Sequence, residues 1–218
     1  MKKTLTKDYI NIFDVCGTLY SVNTTFEFIV FYHKNKKNLL YWFYSKIAIS
    51  KFGKLLAIIF KFSTRKQLLK SLKGVSREEL YRISEIFYDE ILLNNKNSNI
   101  FKLFEELDNK VLLSASIAPV IQVIADKLNC TYYSSQLKYN NNICMGILDF
   151  DLKGKKASCV NSNVIYVITD NLDDTDIIKL AKESFLVAPN IKRMKKWEEL
   201  QNTKLKNTNT QIINTKGS

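Results

Sequence analysis

The sequence predicts an α/β protein, a doubly wound parallel sheet carrying an inserted, all-helical cap. Three observations predict it. Short β-branched and aromatic runs alternate with helical patterns. The first two of these runs are separated by a long helical stretch that contains no strand pattern. Breakers are scarce, with 6 Gly and 2 Pro in 218 residues, which argues against a loop-rich all-β fold. An apolar fraction of 46% and a charged fraction of 25% are those of an ordinary globular chain. The length suits one sizeable core plus an insertion and is too short for two large domains.

Residues 9–15 (YINIFDV) read as a buried parallel strand ending at Gly17. Residues 111–113 form a second strand, ending in Ser114-Ala115-Ser116 and followed by a helical pattern through Leu128. Residues 164–169 (VIYVIT) are the clearest strand and stop at an acidic cluster, and residues 184–188 (SFLVA) give a shorter one. Residues 139–143 (YNNNI) read as a turn joining two short strands. The core is therefore expected over residues 1–22 and 96–200, and the cap over 23–95. The polar Asn/Thr/Lys segment 201–218 is expected to be a disordered tail.

Within the cap, Ser76 with Glu79 three residues later has the spacing of a capping box, followed by apolar positions Leu80, Ile83, Phe87 and Ile91. Residues 39–62 are unusually apolar and aromatic. Lys46, Lys51, Lys54 and Lys61 interrupt them, so no uncharged run is long enough to cross a bilayer. Packing inside the cap is the favoured expectation. The alternative is contact between this basic, aromatic surface and a membrane.

The formal net charge is +12. Clusters at 34–37, 65–73, 153–156 and 192–196 are modest, and no nucleic-acid motif is visible, so solvated faces explain the charge without a nucleic-acid partner. Cys16, Cys130, Cys144 and Cys159 lack metal-ligand spacing, and His33 is the single histidine. The apolar stretch after Met1-Lys2-Lys3 is short and contains Asp14, so it reads as a strand and not as a leader. A reduced, cytoplasmic protein with free thiols is expected. Oligomeric state is open.

The chemistry gathers at strand ends. Asp14 follows the first strand, Gly17 permits a sharp turn, and the Thr18 hydroxyl can reach back. Alone, such an aspartate is better read as a helix cap. Asp170, Asp173, Asp174 and Asp176 crowd into one short segment and would repel one another without a cation. Oxygen-only ligands suit Mg²⁺, although a helix macrodipole accounts for part of the cluster. Ser114 can donate to a phosphoryl oxygen, and Lys156 can neutralise phosphate charge.

Taken in order, NIFDVCGTL, LLSASIAPVI, a lysine near a helix start and VIYVITDNLDDTDIIKLA resemble the haloacid-dehalogenase-like (HAD) superfamily. LKGVSREELYRISEIF and SFLVAPNIKRMKKW are similar to its phosphoserine-phosphatase-like branch. The resemblance spans residues 9–200. It implies a Rossmann-like core and a phosphoaspartyl mechanism with Asp14 as nucleophile. It further implies Mg²⁺ held by Asp14, Asp170 and the Cys16 carbonyl, with Asp174 in support. Ser114, Ala115, Lys156 and Asn171 would surround the phosphoryl group of a small phosphorylated metabolite. Lys153 and Lys155 remain alternatives for the phosphate lysine.

Cys16 departs from the pattern, because phosphatases of this family usually carry a second aspartate there. A thiol with a pKa near 8.5 is a poor proton relay at neutral pH. Three readings follow: a slow or specialised phosphatase, a non-enzymatic binder of a phosphorylated ligand, and a dehalogenase, for which Asn171 speaks and Asp170 does not. A phosphatase acting on lipid or polyprenyl phosphates at a membrane is a further alternative.

Overall fold

The computed structural model describes residues 8–215. Its core is a seven-stranded sheet in the order β4-β3-β2-β1-β5-β6-β7. The strands are β1 (Tyr9–Phe13), β2 (Lys110–Ile117), β3 (Thr131–Asn140), β4 (Ile143–Phe150), β5 (Asn163–Thr169), β6 (Ala181–Ala188) and β7 (Thr210–Asn214). All pairings are parallel except β3 with β4. The fold is thus the α/β, Rossmann-like architecture that the alternating pattern predicts. β1 is central, pairing with β2 through Ile12 and Val111 and with β5 through Ile12 and Val167. The chain leaves β1 toward one side of the sheet and later returns to the other, so the strand order reverses between β1 and β5. A crevice for ligands opens at the carboxyl ends of strands at such a reversal.

The strand alternation divides the core into two layers. Ile10, Ile12, Val111, Leu113, Val167 and Leu186 face one side, where Trp197 of α9 (Ile191–Asn202) packs. The Trp197 indole also donates to the Val187 carbonyl at 3.0 Å. Phe13, Leu112, Ile168 and Val187 face the other side, against α6 (Ser98–Glu106) and α7 (Ala118–Lys127). The β3–β4 turn predicted at 139–143 is present, and its strands are longer than the sequence suggests. Asn141 and Asn142 have φ of 46° and 65°, the left-handed pair that a two-residue hairpin requires and asparagine tolerates.

Between β1 and β2 the described chain is helical: α1 (Thr24–Asn35), α2 (Leu39–Ile49), α3 (Lys51–Ile59), α4 (Thr64–Lys70), α5 (Arg77–Phe87), then a π turn (Tyr88–Leu92) and a 3₁₀ turn (Leu93–Asn95). Ser76 caps α5 by accepting from Glu79 N–H at 3.1 Å. The Glu79 side chain does not complete the box; it accepts from Tyr32 and pairs with Lys36, both at 3.0 Å. Leu80, Ile83 and Phe87 pack in one continuous apolar cluster with Leu112 and Ile121, so these helices and the sheet share a single interior.

Two expectations need correction. Residues 201–218 were expected to be a disordered tail, yet Thr210–Asn214 forms β7, pairing with β6 from Ser184↔Thr210 to Ala188↔Asn214. Composition misleads here because an edge strand gains its backbone bonds whatever its side chains are, while buried Leu205 anchors the approach. Residues 216–218 of that segment lie outside the described part. The second correction concerns residues 39–62, expected to pack inside the cap. α2 and α3 instead leave Leu40, Phe43, Phe52, Ile58, Ile59 and Phe60 exposed. The two helices meet at Ser50, where buried Gly53 sits so close to the Ile47 and Ala48 backbone that a Cβ would overlap it. Their mutual contact leaves the outer faces uncovered.

His33, on α1, is buried and stacks on Tyr41 of α2 with ring centroids 5.2 Å apart. The Ser71 hydroxyl donates to Leu68 O at 2.7 Å and lies 2.8 Å from His33 Nε2. With its proton committed to Leu68, the hydroxyl accepts from Nε2–H, and Nδ1 is left without a partner. Burial lowers the His33 pKa to about 4. The folded state therefore binds its proton less readily than the unfolded chain, whose histidine titrates near ~6.5. The stability this contributes is present above that value and is lost as pH falls toward 4. Urea unfolding across pH 7.5 to 4.5 is expected to show a steeper loss of stability for wild type than for His33→Gln, whose amide does not titrate. Parallel profiles would mean that His33 is not the titrating group.

Candidate functional site

Four chain segments meet at the carboxyl ends of β1, β2 and β5. Asp14 follows β1 directly, and its N–H donates to Ile168 O of β5 at 2.9 Å. The nucleophile candidate is thus held in the sheet, and its side chain is buried. The chain then turns: Gly17 has φ of +77°, its N–H donates to Tyr20 O at 2.7 Å, and Tyr20 N–H donates to Val15 O at 3.0 Å. A Cβ on Gly17 would collide with the Asp170 carboxylate, so glycine is required both for the left-handed backbone and for the close approach. Thr18, fully buried, accepts from Asp170 N–H at 2.8 Å and donates to Asp170 Oδ1 at 3.3 Å. Asp170 is thereby fixed beside the β1 turn, with the Arg193 guanidinium 3.9 Å from its Oδ2.

Lys156 lies just before a 3₁₀ turn (Ala157–Cys159) and is buried. Its ammonium donates to Asp14 Oδ1 at 2.8 Å and to Asp174 Oδ2 at 2.6 Å. Asp174 stands at the start of the short helix α8 (Thr175–Ile178). Its Oδ2 also accepts from Thr169 Oγ1 at 2.8 Å, and its Oδ1 accepts from Asn171 Nδ2 at 3.0 Å. Both Asp174 oxygens are therefore engaged with protein donors. Among the three lysine candidates, Lys156 is the one bonded to Asp14.

Burial works against the Lys156 ammonium, but the Asp14 and Asp174 charges outweigh it and raise its pKa, so it stays charged. Asp170 is different. Burial and the charge of Asp14 push its pKa up to about 7, more than Arg193 and Thr18 offset. Three carboxylates thus share one intimate cation, Lys156, with Arg193 at longer range. This excess of negative charge, on oxygen donors alone, fits a Mg²⁺ ion. Among the described residues no group of three or more His, Cys, Asp or Glu side chains could hold a metal ion by itself.

The Cys16 thiol points into a pocket of hydroxyls. Its Sγ lies 3.0 Å from Thr24 Oγ1, 2.9 Å from Ser116 Oγ and 4.0 Å from Ser114 Oγ, and Thr24 and Ser116 lie 2.7 Å apart. Burial, reinforced by the Asp14 charge, pushes the thiol pKa up, so the group is a protonated donor at neutral pH. Ser114 is buried in β2 and accepts from Ser116 N–H at 3.3 Å. The Ala115 carbonyl accepts from Arg65 Nη2 at 2.6 Å and Ser135 Oγ at 2.8 Å. Arg65, on α4, also forms a two-toothed pair with Asp151 at 2.7 and 2.9 Å.

The sequence-predicted residues therefore form two linked groups. Asp14, Lys156, Asp174 and Asn171 are joined by direct bonds, and Thr18 holds Asp170 next to them. Cys16, Ser114 and Ala115 lie on the β2 side, where Ser114 contacts Cys16 and Ser116 and Ala115 contacts Arg65 and Ser135. Sequence reading missed Thr169, Thr24, Ser116, Arg65 and Asp151. Thr169 carried a signal, being the last residue of a strand whose next residue is Asp170. Arg65 and Asp151 are 86 residues apart, and nothing local marks them as partners.

No protein-family model matches the chain, and no curated protein matches it. Solved structures do. A protein of unknown function from Bordetella pertussis Tohama I superposes with a TM-score of 0.70 at 12% identity, covering 96% of this chain and 100% of that one. A HAD-family hydrolase from Salmonella enterica serovar Typhi gives 0.58 at 13% identity, covering 91% and 71%. A phosphoserine phosphohydrolase-like protein from Francisella tularensis gives 0.53 at 16% identity, covering 94% of each. The sheet and its flanking helices thus share the α/β, Rossmann-like fold of these proteins.

Removing one partner from a buried ion pair costs about 3–5 kcal/mol, because the other charge is left desolvated and unanswered. Lys156→Met leaves two such carboxylates and is expected to lower stability by about that amount in urea denaturation at pH 7. A loss below about 1 kcal/mol, the range of exposed pairs, would show that water reaches these carboxylates.

Proposed function

We propose that the protein is a Mg²⁺-dependent phosphomonoester phosphatase or phosphotransferase of the HAD type. It would act on a small phosphorylated metabolite through a phosphoaspartyl intermediate on Asp14. The observation that carries this reading is the Lys156 ammonium held between Asp14 and Asp174 at the β1–β5 reversal, beside an Asp170 that Arg193 approaches to 3.9 Å. The HAD-family hydrolase and the phosphoserine phosphohydrolase-like protein that share the fold support the reaction class.

Lys156 bonds to Asp14 Oδ1, which leaves Oδ2 as the attacking oxygen. A new bond forms from Oδ2 to phosphorus as the ester oxygen departs, and water later cleaves the acyl phosphate. Splitting the displacement in two replaces one difficult step by two easier ones. Lys156 stands where phosphoryl charge gathers, and Asp174, held by Thr169 and Asn171, keeps that ammonium aimed. Asp174 thus acts through Lys156. The Ser114 hydroxyl, and a backbone at Ala115 braced by Arg65, form the opposite wall of the phosphoryl site. Asp14, Asp170 and the Cys16 carbonyl would hold Mg²⁺, which supplies Lewis-acid stabilisation of phosphoryl charge when bound. Positioning and electrostatics of this kind are most of what phosphoryl transfer asks of a protein.

The protonated Cys16 thiol, bonded within its hydroxyl pocket, is a poor donor to the leaving oxygen and a poor base toward water. General acid–base help contributes about 10²–10⁴-fold, so the same observation favours a slow enzyme. In the limit it favours a second reading, a protein that binds a phosphorylated ligand without turning it over.

A panel of phosphomonoesters assayed with and without Mg²⁺ separates these readings. Hydrolysis is expected with Mg²⁺ and is expected to fall by at least about 100-fold in Asp14→Asn. Equal background in both proteins would end the enzyme reading. Mg²⁺ at about 100 times its Kd should stabilise wild type by about 2.7 kcal/mol in thermal unfolding, and Asp170→Asn should abolish most of that gain. Aryl esters, whose leaving oxygen needs no proton, should be hydrolysed faster than alkyl esters. Cys16→Asp should raise alkyl-ester turnover by about tenfold or more and reduce this discrimination. Unchanged turnover in a folded Cys16→Asp variant would place the side chain away from the reacting centre.

A further inference from the structure

The positive charge of this chain is segregated. Residues 28–77 contain 12 of the 33 Lys and Arg and none of the 21 Asp and Glu. The rest of the chain therefore carries 21 of each sign, and the whole excess of +12 resides in one stretch of fifty residues. That stretch runs from within α1 through α4, and at its centre stand α2 and α3 with their uncovered apolar faces. Leu40 is 79% exposed, Ile58 is 74% and Phe60 is 69%. Exposed Lys37, Lys46, Lys51, Lys61 and Lys66 stand among them. Trp42 and Phe43 pack edge to face within α2, where Phe43 is exposed.

We infer that the α2–α3 pair docks on the surface of an anionic lipid bilayer. The coincidence of the two features selects this occupant. Clustered aliphatic and aromatic side chains seek an apolar phase, and a rim of lysines without a single acid in the same stretch seeks a negative surface. A second copy of the chain would satisfy the first demand but would bring two basic patches together. Nucleic acid would satisfy the charge but offers nothing to Leu40, Ile58 and Phe60. Docking is in the interface plane, because no helix among the described residues is long and apolar enough to cross a membrane. The pair leads directly into α4, whose Arg65 bonds to the Ala115 carbonyl, so the docked face adjoins the helix that braces the phosphoryl site.

The test is vesicle co-sedimentation of the full chain, with phosphatidylcholine vesicles alone or mixed with phosphatidylglycerol. At low salt, binding to the anionic vesicles is expected to exceed binding to neutral ones by at least about tenfold, and to fall as salt shortens the screening length. Trp42 fluorescence should shift to the blue on binding, whereas Trp197, fully buried in the core, should not respond; Trp42→Phe should remove the shift. The triple variant Phe43→Ser, Ile58→Ser, Phe60→Ser keeps the charge and should lose binding. Lys46→Glu, Lys51→Glu, Lys61→Glu keeps the apolar face and should lose it as well. All six positions are exposed, and far-ultraviolet circular dichroism checks the fold of each variant. Asp14→Asn should bind as wild type does, so docking stands or falls independently of the phosphatase reading. Absence of binding to anionic vesicles at low salt overturns the inference. So does binding that survives both triple variants, and so does self-association that the serine variant abolishes in a protein that ignores vesicles.

Discussion

A buried ammonium ties together segments that the sequence keeps far apart. Lys156 bonds to Asp14, 142 residues before it, and to Asp174, 18 residues after it. Each partner needs the others. Lys156 could not remain charged at this depth without the carboxylates, and the carboxylates could not be ionised side by side without the lysine. Thr169 and Asn171 complete the set by donating to Asp174 as well, while Lys156 engages only Oδ1 of Asp14. The sheet fixes the strands on which these residues stand, and the ion pairs fix where their side chains converge. The site is thus a consequence of strand order as much as of residue type.

The same arithmetic of charge distinguishes Asp170 from Asp174. They lie four residues apart and look equivalent in a motif, yet one is neutralised by Lys156 and the other is held by a neutral threonine with Arg193 at 3.9 Å. Asp174 positions a cation that the protein owns. Asp170 is held by Thr18 and approached by Arg193, and Gly17 packs so closely on its carboxylate that a Cβ there would collide with it.

Much of this was legible in the sequence because it depends on local pattern. YINIF, VLLS and VIYVIT read as strands from β-branched and aromatic content, and Asp14, Ser114 and Asp170 were located by where those runs stop. The paired asparagines of the hairpin were legible for a similar reason, since backbone conformation is written into residue type there. What depends on distant contacts was not legible. β7 forms from a polar segment because β6 offers a free edge. Lys153, Lys155 and Lys156 differ only in which one the fold turns inward. The exposed faces of α2 and α3 have the composition of a core, and an apolar helix carries no mark of whether anything covers it. The segregation of charge was present in the sequence, but counting local clusters hid it; the decisive feature is the absence of acids over fifty residues, not the density of lysines.

Cys16 takes a different meaning inside this electrostatic frame. The centre already holds more carboxylate than cation, and Asp170 shows the strain in a pKa pushed up to about 7. An aspartate in place of Cys16 would add a further charge next to Asp14, in a position where burial and that same carboxylate already oppose ionisation of the thiol. The thiol relieves the crowding and satisfies Thr24 and Ser116, which link α1 to the end of β2. The thiol therefore avoids a further buried charge and forms a bonded seam between α1 and the end of β2. A centre built this way keeps Asp14 beside an ammonium that Asp174 aims, with the Cys16 thiol bonded into its pocket of hydroxyls.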